Sequence, residues 1–284
     1  MQAEQMLQAF ACRNIVIAGT GYVAEAFWRA LERHGYAERV VFCLDSGANG
    51  EKRFHQKAVY KPGKAPRVED AIFCIAVHES LAAEVRNALP PTARESAVWI
   101  YPWLAEWLYG PALQDRVRLP LSGILRAQDP GNHWLTIRYM AERDYLRGDE
   151  RQYAQSAALY RLALMAHCSP ATAEKRLRQM EKLTDSIAAG GLMPDRPILL
   201  DEDCRVIDGL HRLAAACVLD LDPIPCSVFP RSVEYDRLLK KENRLPEAVL
   251  RQLGFTEAQL ELLRQAKREI LEKAFPGAGG AGLP

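Results

Sequence analysis

Between Asn14 and Trp103 the chain alternates short apolar runs with segments of helical periodicity, and this alternation constrains the fold more than any other feature. Four runs have the length and apolar content of buried strands: 14–18, 39–44, 71–77 and 97–101. The segments between them, such as 23–34 and 81–89, carry apolar residues at helical spacing. Strands that alternate with helices of this length indicate a parallel, doubly wound sheet. We therefore expect an α/β domain over residues 1–111.

A glycine-rich turn joins the first predicted strand to the first helix. Gly19 allows a tight turn, and Gly21 lets backbone approach a phosphate. Asp45 ends the second strand, where an acidic side chain can bind a ribose hydroxyl. The pattern predicts a Rossmann-like domain in which Gly19, Gly21 and Asp45 bind a nucleotide or nucleotide-sugar. A dinucleotide redox role and a purely structural turn stay open. His78 follows the run 71–77 at the edge where such sheets bind ligands, although a single histidine indicates little.

The pattern changes twice beyond residue 111. Residues 112–168 lack β alternation and predict a helical connector or insertion. Residues 169–235 combine a helix, a hairpin, a second helix and a strand, an order typical of a compact α+β domain. Residues 236–284 predict C-terminal helices followed by a flexible, glycine-rich tail.

Capping residues set several helix boundaries in this half of the chain. Ser169 followed by Pro170 predicts a helix start, and Gly148 can end the helix before it. Thr256 with Gln259 has the spacing of a capping box.

The sequence Asp208-Gly209-Leu210-His211-Arg212 is the most informative segment for function. A predicted strand enters a glycine turn and a helix of small residues begins at once, so free backbone N–H groups face outward at a positive helix end. Gly209 lacks the Cβ that would block a phosphate. His211 and Arg212 add side-chain donors, and Asp208 can hold a divalent cation or accept a proton. The alternative is that Asp208 and Arg212 merely pair across the turn.

Residues 173–229 resemble the ParB/sulfiredoxin superfamily. Gly209, Arg212 and Ala215 fill its G-x-x-R-x-x-A pattern, and His211-Arg212 match the end of the Gly-Cys-His-Arg turn that holds ATP phosphates in sulfiredoxin-like proteins. Leu210 stands where those proteins have the reactive cysteine, which argues against sulfinic-acid reduction. The Asp-Gly-x-His-Arg form looks most like the ParB-fold free-serine kinases. The N-terminal domain, in turn, is similar to those of bacterial sugar-modifying enzymes.

The resemblance implies a nucleotide-dependent phosphotransferase that acts on a small hydroxyl-bearing substrate, in polysaccharide or natural-product biosynthesis. It implies ATP, ADP or CTP with Mg²⁺ as cofactor, bound by Gly209, Leu210, His211 and Arg212. Asp208 and His211 would be catalytic, and Asp208 would also bind the metal. Glu174 and Glu181 on the preceding predicted helix are further candidates for the base, although solvated charges on a helix face are the simpler interpretation.

Two other classes of function stay open: a DNA-binding, partition or nuclease-type ParB-like protein, and a non-catalytic nucleotide-sugar binding module. Charge argues against the first, since between residues 169 and 230 ten acidic residues outnumber seven basic ones, a balance of −3. Duplex binding draws instead on clustered Lys and Arg.

Composition limits the remaining classes. The whole chain has a formal net charge of +1, so nothing in its overall charge directs it to nucleic acid or an acidic membrane. Its seven cysteines have neither zinc-knuckle nor redox C-x-x-C spacing, which predicts small core residues in a reducing compartment. No apolar run is long enough to span a bilayer, and no basic leader precedes the first apolar stretch. We expect a cytoplasmic protein that binds a small-molecule substrate, without nucleic-acid or membrane partners.

Overall fold

The computed structural model describes residues 3–48, 51–231 and 244–276. The chain forms two compact units, Met1–Pro111 and Ala112–Pro284, each with its own hydrophobic core. The predicted flexible tail falls, except for its first residue, on positions 277–284, which lie outside the described residues. Among the helices described, none is both long and apolar enough to cross a lipid bilayer.

The first unit alternates strands with helices along the chain. Its described strands are β1 (Asn14–Ala18), β2 (Val40–Leu44), β3 (Arg53–Phe54), β4 (Lys57–Tyr60), β5 (Ala71–Ile75) and β6 (Val98–Trp99). Its described helices are α1 (Ala3–Cys12), α2 (Tyr22–Arg33), α3 (Glu79–Ala88), α4 (Pro91–Ser96) and α5 (Tyr101–Tyr109). A short 3₁₀ turn, Ala37–Arg39, precedes β2.

These strands form one sheet in the order β3-β4-β2-β1-β5-β6, parallel except for the β3–β4 pair. Successive residues of β1 enter opposite cores, because side chains alternate across a strand. Ile15 and Ile17 pack in one apolar cluster, and Val16 and Ala18 pack in the other. A strand buried on both faces is typical of a parallel sheet covered by helices. The prediction of an α/β layout compatible with a Rossmann-like fold is thus confirmed.

Two details of the first unit differ from the sequence prediction. The expected strand 97–101 is limited to Val98–Trp99, because Tyr101 already begins α5 with a proline in its first turn. The hairpin of β3 and β4 is a second difference, because it falls between the strands that the sequence predicts. Its strands have two and four residues, too short for periodicity to separate them from a loop.

The second unit combines a small sheet with a larger helical layer. Its described strands are β7 (Gln114–Leu119), β8 (Ile198–Asp201), β9 (Val206–Asp208) and β10 (Ile224–Phe229). Its described helices are α6 (Leu121–Ala127), α7 (Trp134–Arg147), α8 (Glu150–Met165), α9 (Pro170–Gly190), α10 (Leu210–Val218), α11 (Glu247–Gln252) and α12 (Glu257–Ala274). The sheet order is β7-β10-β8-β9, with β10 parallel to β8 and antiparallel to β7.

The strand β7 corrects the expectation that residues 112–168 are helical throughout. It carries three charged residues in six and stands at an edge of the sheet, where polar strands are common. Its weak alternation of Val117 and Leu119 gives little signal in the sequence. Side chains of α6, α7 and α8 share one apolar core with α10, β10 and α12.

The predicted caps of the second unit are confirmed. The Ser169 hydroxyl accepts a hydrogen bond from the Thr172 N–H at the start of α9. Thr256 and Gln259 form a complete capping box at the start of α12. Gly148 ends α7 in the left-handed conformation, which glycine adopts without steric penalty.

Candidate functional site

The turn between β9 and α10 places the predicted site residues at the start of a helix. β9 ends at Asp208, Gly209 takes a left-handed conformation with φ +99°, and α10 begins at Leu210. The first helical hydrogen bond runs from the Leu213 N–H to the Gly209 carbonyl, at 2.9 Å. No side chain in the described part of the chain caps this helix. Its first turn therefore presents a positive dipole end without a capping carboxylate or hydroxyl.

The Arg212 guanidinium binds the protein itself. Its Nη1 donates to the carbonyl oxygens of Arg196 and Pro197, at 2.7 and 2.8 Å, and its Nη2 donates to Asp208 Oδ2 at 3.0 Å. A Cβ added to Gly209 would lie 3.0–3.2 Å from the guanidinium. Arg212 thus ties the loop before β8 to the turn, and any contribution to anion binding rests on its charge and its remaining N–H donors.

Asp208 combines an engaged oxygen with an available one. Oδ2 accepts the Arg212 hydrogen bond, whereas Oδ1 makes no hydrogen bond with any residue in the described parts of the chain. The side chain is about one quarter exposed, with 28% of its surface accessible. Asp208 therefore offers one carboxylate oxygen to a ligand, held in place by the arginine one turn later.

Mg²⁺ typically takes one or two carboxylates together with substrate phosphates and water. No group of three or more His, Cys, Asp or Glu side chains suited to a metal occurs among residues 3–48, 51–231 and 244–276. Asp208 alone would meet the minimum of one carboxylate that such a Mg²⁺ site needs. It would supply a single ligand, with the other positions left to phosphate oxygens and water.

His211 points to the other side of the turn, into the helical layer. Its Nε2 accepts from Arg138 Nε at 3.1 Å and lies 3.0 Å from the Tyr160 hydroxyl. Its Nδ1 lies 3.1 Å from Glu142 Oε1. Arginine is always a donor, so Nε2 must accept and the ring proton must sit on Nδ1, facing the carboxylate. Both ring nitrogens are therefore engaged with protein groups, and a direct role for His211 in chemistry stays a prediction.

Glu142 is the most deeply placed charged group of this cluster, with 1% of its side chain exposed. Burial raises its pKa well above the ordinary value, although the charge of Arg138 opposes the shift. Its second oxygen, Oε2, has no hydrogen-bond partner within the described structure. A buried carboxyl with an unsatisfied oxygen is unfavourable for stability, which argues for a role other than packing.

Sequence reasoning missed Arg138, Glu142 and Tyr160, all from the stretch treated as a connector. A signal was present, because Arg138 and Glu142 are four residues apart and lie beside the apolar stripe of α7. Tyr160 is completely buried in α8. Two long polar residues on a largely buried helix are uncommon, and their spacing places both side chains on one face.

The other predicted candidates for a base hold helices together. Glu174 pairs with Arg161 at 2.7 Å and with Arg178 at 3.4 Å. Glu181 accepts a short hydrogen bond from the Tyr153 hydroxyl. Neither forms a hydrogen bond with the Asp208 turn, which agrees with the simpler interpretation of both as helix-surface charges.

In the first unit, the predicted cofactor residue Asp45 is bound by neighbouring protein groups. Asp45 accepts from Thr20, from Lys52 Nζ at 2.7 Å and from the Gly47 N–H at 2.8 Å. Burial acts to raise the Asp45 pKa, but these hydrogen bonds and the Lys52 charge together lower it. Both carboxylate oxygens are thus occupied without a ribose.

The two glycines of this turn have different surroundings. Gly19 has φ +112°, and a Cβ there would lie 2.7 Å from Val77 Cγ1 and 2.8 Å from the Ala76 carbonyl oxygen. Gly21 has open space within 4 Å of the same position. Gly19 is therefore needed for the close approach of β1 to β5, whereas the surroundings of Gly21 leave room for a ligand. His78 packs edge-on against Tyr101, with ring centroids 5.3 Å apart.

Comparison with protein-family models, with curated proteins and with solved structures finds no match for this chain. Its function is therefore inferred from the site described above.

Proposed function

We propose that the second unit is a ParB-like, nucleotide-dependent phosphotransferase that transfers a phosphate to a small hydroxyl-bearing substrate in the cytoplasm. The observation that carries this proposal is the turn at Gly209. There a left-handed glycine and a carboxylate with one available oxygen meet the uncapped start of α10. A structural turn alone requires neither an uncapped helix nor an unshared carboxylate oxygen.

The start of α10 suits the phosphates of ATP, ADP or CTP. Backbone N–H groups and the helix dipole favour negative charge at this position, and phosphate groups are common ligands of such helix ends. A Cβ at Gly209 would lie against the Arg212 guanidinium, so the glycine lets that side chain pack close to the turn. Arg212 adds positive charge close by without having to leave its carbonyl partners.

Asp208 supplies the proton acceptor of the proposed reaction. Its Oδ1 takes the proton of the substrate hydroxyl while the hydroxyl oxygen forms a bond to the terminal phosphorus. The bond from that phosphorus to the bridging oxygen breaks, and the electron pair leaves with the shortened nucleotide. Catalysis of this kind depends mainly on positioning and on charge stabilisation, which a preorganised helix end provides.

A transfer assay with labelled ATP, ADP and CTP, each with Mg²⁺ and a panel of small alcohols and hydroxy acids, tests the proposal. Asp208→Asn keeps the shape but removes the charge, so we expect nucleotide affinity within about threefold of the parent and turnover lower by about a hundredfold or more. The matched control is Asp195→Asn, the same change at an exposed residue that makes no hydrogen bond with the described residues.

Full turnover in Asp208→Asn would remove Asp208 from the chemistry. Absence of binding and transfer with every nucleotide in the parent protein would reject the function as a whole.

A further inference from the structure

A cavity of about 360 Å³ in the second unit is lined by side chains of α7, α8 and α12. None of the described residues that line it belongs to the turn between β9 and α10. Two lining side chains, Met140 and Leu159, are apolar and almost completely buried. Three others are exposed amides whose side chains form no hydrogen bond with a described residue: Gln152, Gln155 and Gln265. The cavity thus joins a buried apolar surface to a polar rim.

Asp144 is the most deeply buried charged residue of this cavity, with 5% of its side chain exposed. Its Oδ1 accepts a hydrogen bond from Arg143 Nε at 2.8 Å. Its Oδ2 makes no hydrogen bond with any described residue, yet it is not among the fully enclosed polar atoms. A polar atom on so buried a side chain normally has a partner, and the cavity is where a ligand can supply one.

Charge in the cavity is unevenly shared, because one guanidinium serves two carboxylates. Besides Asp144, Arg143 binds both oxygens of Glu269, at 2.7 and 2.8 Å. One positive and two negative side chains leave an excess of one negative charge in a partly buried place. A further cation close to these carboxylates is therefore favoured.

Arg147 is the remaining cation among the described residues of the lining. It is exposed, and it forms no ion pair within the described ranges. Burial acts to raise the Glu269 pKa, whereas hydrogen bonds and positive charges, that of Arg147 among them, lower it. Arg147 thus acts on the carboxylates from the rim and would compete with a cationic ligand.

We propose that this cavity binds the protonated primary amine of a small organic molecule, with Asp144 Oδ2 as its main acceptor. An ammonium group has three N–H donors and no acceptor, so it needs several oxygens around it. Ser156 Oγ gives its own hydrogen to the Tyr153 carbonyl at 3.2 Å and therefore keeps lone pairs for a donor. The amide carbonyls of the rim are further acceptors. Met140 and Leu159 offer apolar surface to a short alkyl chain.

The donor set suits an ammonium group better than a divalent metal ion. Such ions bind several oxygen ligands at once, mainly carboxylates, carbonyls and water. Only two carboxylates, Asp144 and Glu269, belong to the described lining, and Arg143 occupies three of their four oxygens. A single open carboxylate oxygen matches one ammonium group.

The probe is n-butylamine, titrated calorimetrically into the full chain near neutral pH, with n-butanol as an uncharged control of the same chain length. We expect the amine to bind and the alcohol not to bind. Asp144→Asn should weaken amine binding by about tenfold or more, because it removes the charge of the main acceptor. Asp195→Asn, the same change at an exposed residue outside the cavity, is the matched control and should leave affinity unchanged.

Arg147→Gln is an independent test at an exposed position, where the fold is expected to be kept. It removes the competing charge at the rim and should strengthen amine binding by about threefold. Arg176→Gln, at an exposed position of α9 that does not line the cavity, should have no effect. Urea unfolding shows whether Asp144→Asn is folded, and Arg147→Gln decides the outcome if it is not.

Putrescine, lysine and glucosamine then separate a polyamine, an amino acid and an amino sugar as the source of the amine. The one that binds most tightly, with the same dependence on Asp144, identifies the class. Absence of butylamine binding in the parent would overturn the site, as would equal binding of butylamine and butanol. Amine affinity that is unchanged in folded Asp144→Asn, or unchanged or weakened in Arg147→Gln, would overturn it too. None of these measurements depends on phosphate transfer.

Discussion

The two units of this protein each contain a strand that enters a glycine turn and continues as a helix, yet the two turns treat their polar groups differently. In the first unit, Asp45 is bound by Thr20, Lys52 and the Gly47 N–H, so the charges beside the turn neutralise one another. In the second unit, one oxygen of Asp208 makes no hydrogen bond with a described residue, and Arg138 donates to His211.

The contrast shows why a glycine turn alone does not identify a ligand site. Gly19 is explained by packing, because Val77 and Ala76 leave no room for a Cβ. At Gly209, by contrast, a Cβ would meet the side chain of Arg212 and not neighbouring backbone. A ligand site is better indicated by polar groups around the turn that have no partner in the protein. The first turn has a carboxylate whose two oxygens are bound by the protein, whereas the second has a carboxylate with one available oxygen. We expect the two turns to respond differently to substitution.

The largest effect is expected at Gly19. Gly19→Ala places a Cβ against the backbone of Ala76 in a conformation that favours glycine, and should lower the free energy of unfolding by about 3 kcal/mol or more. Gly21→Ala, with open space around it, should lose about 1 kcal/mol or less. Tryptophan fluorescence during urea unfolding reports mainly this unit, which holds four of the five tryptophans. Equal losses in the two variants would contradict the packing explanation.

Arg212→Ala should destabilise the second unit by about 2 kcal/mol, because it leaves the Arg196 and Pro197 carbonyls and Asp208 without their donor. Arg178→Ala removes only an exposed helix pair and should cost about 0.5 kcal/mol or less. Circular dichroism in urea, compared with tryptophan fluorescence, distinguishes this unit from the first. If Arg212→Ala left stability unchanged but greatly weakened nucleotide affinity, Arg212 would be a phosphate ligand and not a structural residue.

Glu142→Gln tests whether the carboxyl beside His211 is strained by burial. Because the folded-state pKa is raised, the protonated form favours folding, and that contribution is lost as pH rises from the unfolded value through the folded one. Glutamine copies the neutral form and does not titrate. We expect the variant to gain about 1 kcal/mol relative to the parent between pH 5 and pH 8, measured by urea unfolding across that range. A parallel pH dependence in both proteins would contradict the assigned strain.

The smallest effect is expected at Lys52. Lys52→Ala should cost about 1 kcal/mol or less near neutral pH, because the pair with Asp45 is partly exposed and Thr20 and Gly47 still bind the carboxylate. The Asp45 pKa is lowered, so this contribution is present above the unfolded value and disappears as acid protonates the folded carboxyl. A nucleotide-sugar or dinucleotide that raises the unfolding midpoint of the first unit in a Lys52-dependent way would show that this turn binds a ligand.

The sequence alone was sufficient for the local features of the fold. Periodicity indicated β1, β2 and β5 and the helices between them, and capping residues located the starts of α9 and α12. It also placed Asp208 and Gly209 at a strand–helix junction. These features depend on neighbours within about one helical turn or one strand, so composition and spacing carry them.

The tertiary structure decided which groups the two turns contact. His211 meets Arg138, Glu142 and Tyr160, which lie between 51 and 73 residues earlier in the chain. β7 pairs with β10 across more than one hundred residues, and its charged sequence gives little hint of a strand. Such contacts depend on how distant elements pack, and periodicity in one segment contains no information about its partner. The chain's own pattern therefore determined where a site can begin, and only packing determined which charges remained unpaired around it.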